Sequence, residues 1–200
     1  MAYPTLDGPY GLKPVRLLGG QPYAGATSQY PIDTANGTAI YTGDIVILQS
    51  TGYVTKLAAT DTATLIVGVF MGCSYTNATT GQKTFAQYAP ATPPSDCVAY
   101  VVDDPDVVFK TAVCTAGSTT LNGLTFAAVG TKGAVVLNAG STATGNSKFA
   151  INAAVEASST TLPLKVIGVV PETVNSSGSS TEVLVIFNPG THFMRNTVGV

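Results

Sequence analysis

Charged residues are scarce in this 200-residue chain, and tryptophan is absent. Asp, Glu, Lys and Arg together make up 10% of the residues, whereas typical soluble domains contain about 25%. Interspersed charge keeps a protein surface soluble and free of apolar patches, so we predict that a large part of this surface contacts other protein. The 9 Lys and Arg residues are spread singly along the chain, and this spacing argues against direct nucleic-acid binding.

Long hydrophobic runs are missing as well. The apolar runs at 65–71 and 183–187 are far shorter than the roughly 18 residues that a bilayer-spanning helix needs. The start of the chain lacks the apolar segment behind a basic stretch that defines a secretory signal. We therefore expect no membrane association and synthesis in a cytosol.

Side chains that carry catalysis are few. His192 is the only histidine and lies in a terminal segment, and the chain has no GxSxG motif, which argues against a nucleophile triad. It also has neither phosphate-binding nor dinucleotide-binding glycine motifs. Cys73, Cys97 and Cys114 are odd in number and lack CxxC spacing, so buried reduced thiols are favoured over metal ligands. We predict a protein that is not an enzyme and that holds no cofactor and no metal.

Two carboxylate sites stay open as alternatives. Asp103, Asp104 and Asp106 form an acidic cluster of the kind that hard cations bind, but Asp residues around Pro105 are more typical of a turn, which we favour. A small β-fold hydrolase would need a carboxylate pair in one cleft. The residues available for such a pair are Asp96, Glu156, Glu172 and Glu182.

Strand patterns dominate the chain. Two short runs, 45–48 and 53–57, are separated by a Ser-Thr-Gly turn and followed by the apolar run 65–71, which predicts a β-meander. Further strands are predicted at 97–102 and 107–114 as a pair, and at 164–170 and 182–188 with both faces buried. Residues 138–147 form a flexible-looking loop. Helical periodicity is limited to one or two turns near 81–88. The predicted fold class is all-β, a barrel or two-sheet sandwich with an extended N-terminal arm and little helix.

The first 37 residues differ in composition from the rest of the chain. Prolines recur there beside tyrosines, and proline disfavours both a long helix and a central strand. The tyrosines and leucines of this segment gain stability only when something covers them. We interpret residues 1–37 as a docking arm, 38–188 as a β domain and 189–200 as a C-terminal tail; the alternative is that the arm packs on its own domain.

Several segments resemble proteins of tailed phages. The pattern of Gly43, Asp44, Val46 and Leu48, then Gly52 and Val54, then 66–69 (IVGV) resembles the strand-turn-strand signature of head-decoration and capsid-stabilising proteins. Longer segments resemble virion structural proteins of marine tailed phages, namely 9–32 (PYGLKPVRLLGGQPYAGATSQYPI), 100–110 (YVVDDPDVVFK) and 138–147 (NAGSTATGNS).

The resemblance implies a structural virion protein on the capsid exterior, made in the host cytoplasm. Such proteins bind the assembled shell of major capsid protein, commonly as trimers, and reinforce it against the pressure of the packaged DNA. Buried aromatic and aliphatic anchors dominate interface energetics, and the candidate anchors in the arm are Tyr3, Tyr10, Leu17, Leu18, Tyr23 and Tyr30. An alternative is a receptor- or carbohydrate-binding module of a head or tail fibre, for which the chain offers Tyr and Phe platforms.

Overall fold

A computed structural model describes residues 6–59, 65–175 and 177–196, and nearly all of its regular structure is β. The strands are β1 (Lys13–Leu17), β2 (Ser28–Pro31), β3 (Ile40–Tyr41), β4 (Ile45–Leu48), β5 (Val54–Lys56), β6 (Ile66–Thr76), β7 (Lys83–Ala86), β8 (Tyr88–Ala89), β9 (Val98–Val102), β10 (Val107–Cys114), β11 (Lys132–Val136), β12 (Ala150–Glu156), β13 (Leu164–Val169) and β14 (Glu182–Phe187). Two short 3-10 turns, Phe126–Ala128 and Pro171–Thr173, complete it. The all-β prediction is confirmed; the helical turns expected near 81–88 are wrong, because β7 and β8 occupy those residues.

Five strands close into a barrel. Their order around the ring is β10, β12, β11, β13 and β14, and antiparallel pairing of β14 with β10 closes it. The contact of β10 with β12 is parallel, with Val113 opposite Ile151, and the others are antiparallel. Closure leaves these strands without free edges along the ring, which removes the usual site of unwanted strand pairing.

A second sheet packs against the barrel, and its long strand β6 is buried on both faces over most of its length. Its order is β2, β9, β6, β4 and β5, with β7 beside the far end of β6. Ile45 and Ile66 belong to the same hydrophobic cluster as the barrel side chain Phe109, whereas Val46 and Val67 belong to a cluster on the opposite face. Burial on both faces explains why 65–71 reads as one continuous apolar run rather than as an alternating pattern.

Strands β9 and β10 do not pair with each other, contrary to the prediction. β9 lies between β2 and β6 in the second sheet, whereas β10 pairs with β1, β12 and β14 around the barrel. The turn between them, 103–106, is present as predicted, but it carries the chain from one sheet to the other. Asp and Pro residues favour a turn, in which the chain reverses its direction. They do not determine which strands pair on either side of that turn.

One further expectation is corrected. β13 buries Leu164 and Val166 but leaves Lys165 and Ile167 half-buried, so it is not buried on both faces as β14 largely is. The loop 138–147 is anchored at its end, where backbone hydrogen bonds join Thr42 to 145 and 147. All three cysteines are free and buried, as predicted.

The predicted arm supplies one edge strand to each sheet. β1 pairs with β10, with an irregularity of register after Pro14, and β2 pairs with β9 and ends at Pro31. Prolines are tolerated at edges and bulges because no ladder hydrogen bond is lost there. The described part of the arm thus packs on its own chain, which is the arrangement that the sequence left open as the alternative.

Candidate functional site

Tyr10 attaches the arm to the barrel. Its hydroxyl donates a hydrogen bond to the carboxylate of Glu182 at the start of β14, which also forms an ion pair with Lys110 at 3.1 Å. The ammonium groups of Lys13 and Lys110 lie over the tyrosine ring, 4.4 and 5.9 Å from its centroid. Burial, followed by the neighbouring carboxylate, raises the pKa of Tyr10, so the phenol stays protonated and remains a donor. This side chain is engaged within the chain itself.

Three other candidate anchors also have internal partners. The Tyr23 hydroxyl donates to the carbonyl of Ala26 at 2.6 Å, and its ring packs against the main hydrophobic cluster, as does Leu17. The Tyr30 hydroxyl donates to the carboxylate of Asp103 at 2.8 Å. Tyr3 lies outside the described residues. Leu18 is the candidate that remains exposed, at 47% of its surface.

Leu18 lies at the tip of a short hairpin, 13–23, which we call the arm hairpin. The N–H of Leu17 donates to the carbonyl of Gln21 at 2.7 Å, and Gly20 adopts φ +88°, a conformation that glycine reaches without strain. The N–H of Leu18 donates to the carbonyl of Asp106 at 2.8 Å, which joins the tip to the turn between β9 and β10. Val15, on the same hairpin, is 44% exposed. Val15 belongs to the apolar stretch 15–18 of the sequence but was not among the six candidate anchors.

An open groove lies beside the tip of the arm hairpin. Its volume is about 530 Å³, and its lining includes Leu17, Leu18, Gly19, Gln21, Asp104 and Asp106. The Asp104 carboxylate accepts the N–H of Asp106 at 2.8 Å, and the Asp106 carboxylate pairs with Arg195 at 2.5 Å. Within 6–59, 65–175 and 177–196, no group of three His, Cys, Asp or Glu residues is arranged to hold a metal ion. The acidic residues here act as turn and ion-pair groups.

Two of the four acidic residues considered for a hydrolase have separate partners. Asp96 accepts hydrogen bonds from the backbone N–H and the hydroxyl of Thr76, at 2.9 and 2.6 Å, and these bonds lower its pKa. Glu182 is occupied by Tyr10 and Lys110. The structure thus ties these two carboxylates to different groups, one at the second sheet and one at the barrel.

A buried ion pair between Asp44, directly before β4, and Lys56 of β5 lies at the second sheet and was not foreseen. Asp44 is fully buried and lies 3.2 Å from the ammonium of Lys56. Its carboxylate also accepts the N–H of Tyr41 at 2.8 Å and the hydroxyl of Ser147 at 2.5 Å. Burial raises the pKa of Asp44, whereas Lys56 and these hydrogen bonds act to lower it. A lone Asp directly before an apolar strand was the available signal; because Ser147 is itself buried, we assign the cluster a structural role.

An exposed aromatic pair lies on the second sheet. Phe85, on β7, is 73% exposed and stacks on Tyr100 of β9, with centroids 6.5 Å apart and an interplanar angle of 21°. The Tyr100 hydroxyl donates to the hydroxyl of Ser74 on the strand between them, at 3.1 Å. A shallow groove of about 240 Å³, lined in part by Met71 and Gln87, adjoins the rings. We call this feature the Phe85 platform; the large apolar Phe85 in the mostly polar stretch 82–87 was its signal.

The fold and these surfaces define an all-β protein built on a five-stranded closed barrel with a second sheet packed against it. Comparison with protein-family models, with curated proteins and with solved structures found no match. Of the helical segments in the described ranges, none has the length and apolar character to cross a membrane.

Proposed function

We propose that this chain is a structural virion protein that binds the outside of an assembled phage capsid and stabilises the shell. Its partner is the major capsid protein, and the resemblance of the sequence favours a homo-oligomer, with three copies at each binding position. The observation that supports this function best is the arm hairpin, which presents Val15 and Leu18 to solvent beside an open groove.

The arm hairpin suits a docking surface because its backbone is held in place before binding. β1 pairs with β10 of the barrel, and the tip is bonded to the turn at Asp106. A surface that is already ordered loses little conformational entropy on association. Val15 and Leu18 together offer modest apolar area, but many copies on a lattice multiply weak individual contacts through avidity.

The double variant Val15→Thr with Leu18→Gln tests this surface. Both replacements keep approximate side-chain size and remove apolar character, so the free energy of unfolding is expected to stay within about 0.5 kcal/mol of the wild type. Binding to shells assembled from the major capsid protein encoded with this chain is expected to weaken at least about tenfold, since the anchors of an interface carry most of its affinity. Co-sedimentation with the shells measures this directly.

Phe126→Ser is the matched control. Phe126 is 75% exposed on a 3-10 turn that follows β10, so its replacement also removes exposed apolar surface and is expected to leave shell binding unchanged. Wild-type protein that does not sediment with the shells would overturn the function. Equal binding by the double variant would overturn the docking surface, and cryo-electron microscopy of decorated shells would then show which face is used.

The Phe85 platform favours a second function, carbohydrate binding by a receptor-recognition module. Sugar rings stack their C–H faces on exposed aromatic side chains, and nearby polar groups then fix orientation; here Gln87 and the Tyr100 hydroxyl are the polar groups. Phe85→Ala is expected to weaken glycan binding at least about tenfold, measured on a glycan array and then by calorimetry with the retained sugar. An array on which the wild-type protein retains no glycan would exclude this second function.

A further inference from the structure

His192 is buried in an apolar setting where only one of its ring nitrogens is satisfied. The residue is fully buried, and its ring lies 5.8 Å from that of Phe187 and 5.5 Å from that of Phe193. Nδ1 accepts the N–H of Met194 at 3.3 Å. Nε2 has no hydrogen-bond partner among the described residues, and the main chain of Val67 lies near the ring and favours its protonated form. Because Nδ1 is an acceptor, the neutral ring carries its proton on Nε2.

This ring holds the C-terminal segment against the second sheet. The N–H of Ile66 donates to the carbonyl of Thr191 at 3.0 Å, and the N–H of Phe193 donates to the carbonyl of Ile66 at 2.9 Å. His192 lies between these two bonds, in a parallel bridge with Ile66. The segment 189–196 therefore covers the edge of β6 that precedes its pairing with β9.

A second proton on this ring would act against its hydrogen bond with Met194 and against its burial among apolar side chains. It would convert Nδ1 from an acceptor into a donor that faces the N–H of Met194, and it would place a charge in an apolar site, which is costly without a partner. Arg195, on the same segment, repels that charge. The main chain of Val67, followed by Asp103 and Asp104 in the turn between β9 and β10, favours it, but burial and Arg195 outweigh these groups. Burial and Arg195 together lower the pKa of His192.

We propose that His192 is an acid-sensitive latch, and that its protonation releases the segment 189–196 from β6 and uncovers the strand edge at Ile66. In the released segment the histidine has an ordinary pKa of about 6.5. Below that pH, release of the segment is therefore accompanied by uptake of a proton on His192. The ratio of released to docked segment is therefore expected to rise by up to about tenfold for each pH unit below about 6.5, until the lowered pKa of the docked ring is reached. Above pH 7 the segment stays docked.

Hydrogen exchange of the full chain at pH 7.5, 6.5 and 5.5 tests the latch, with rates corrected for intrinsic chemistry. Peptides that contain the Ile66 and Phe193 amides are expected to lose protection as the pH falls from 6.5 to 5.5, by up to about tenfold. Peptides from β10 are expected to keep their protection, which separates local release from global unfolding. Because the chain has a single histidine, one imidazole NMR signal reports the same titration.

Two variants distinguish this device from other titrating groups. His192→Asn keeps a side-chain acceptor for the N–H of Met194 but cannot titrate, so its protection is expected to be independent of pH; His192→Phe serves if that variant does not fold. Asp106→Asn removes the carboxylate that pairs with Arg195 and is expected to retain the pH dependence. Constant protection in the wild type, or the same loss of protection in the non-titrating variant, would overturn the latch.

Discussion

Gly68→Ala is expected to destabilise this protein by more than about 4 kcal/mol, the range in which single substitutions are exceptional. Gly68 lies within β6, where the neighbouring strand β9 ends. A Cβ atom at this position would lie 1.9 Å from the carbonyl oxygen of Val102 and 2.8 Å from its carbonyl carbon. These are backbone atoms that cannot rotate away, so β6 and β9 must move apart where Val69 pairs with Val102.

Separation of these strands would affect the whole molecule. Val67 and Val69, which flank the glycine, point into the two different hydrophobic clusters. Protein interiors are packed as densely as organic crystals and do not absorb such a displacement locally. Urea denaturation followed by circular dichroism measures the loss; soluble yield serves as the readout if the variant does not fold.

Gly168→Ala is the matched control for that experiment. Gly168 also lies in a strand, β13, but a Cβ there meets only the Leu184 side chain at 3.7 Å, an ordinary van der Waals contact. An alanine that fits stabilises by about 0.4–1 kcal/mol because it restricts the unfolded chain. If Gly68→Ala proves as stable as Gly168→Ala, the close approach of β6 to Val102 is wrong.

Asp44→Ala is expected to cost about 3–5 kcal/mol, the range for breaking one side of a buried ion pair. Lys56, with only 12% of its side chain exposed, would lose its carboxylate partner, and the N–H of Tyr41 and the hydroxyl of Ser147 would lose their acceptor. The Lys56 ammonium also lies 4.8 Å from the centroid of the Phe149 ring, so it has little room to reach water. Chemical denaturation at pH 7 measures the loss.

The double variant Asp44→Ala with Lys56→Met separates the ion pair from the rest of the network. Replacing both charges by apolar groups is expected to recover part of the stability, because no uncompensated buried charge remains. The coupling in this double-mutant cycle is expected to be between about 0.5 and 3 kcal/mol. Asp96→Ala, which breaks a solvent-exposed pair with Lys83 at 3.5 Å, is the control and is expected to give no comparable loss. Strict additivity of the two buried substitutions would contradict the network.

Local sequence patterns located most of the strands. The runs predicted at 45–48 and 107–114 match β4 and β10 to the residue, because β-branched and apolar side chains there are bounded by turn residues. β12 was not predicted, since its sequence AINAAVE is rich in alanine, which has little strand preference. It forms a strand because β10 and β11 pair with it on either side. This pairing cannot be predicted from the residues of β12 alone.

The arm shows the limit of composition as a guide to function. Its prolines and tyrosines correctly excluded a long helix and a central strand, but not the edge strands β1 and β2. Whether Tyr10 is free to bind a partner depends on Glu182, which lies 172 positions further along the chain. No local pattern specifies such a contact, and the sequence therefore proposed six anchors of which Leu18 is the one that the described structure leaves exposed.

The sequence by itself determined the fold class, the position of most turns and the scarcity of catalytic groups, since each follows from local propensity and residue type. Barrel closure, the transfer of the chain between sheets at 103–106, the buried pair of Asp44 with Lys56 and the burial of His192 were decided by the tertiary structure alone. They depend on contacts between residues far apart in the chain, whose geometry is set by which strands meet and how closely their backbones approach.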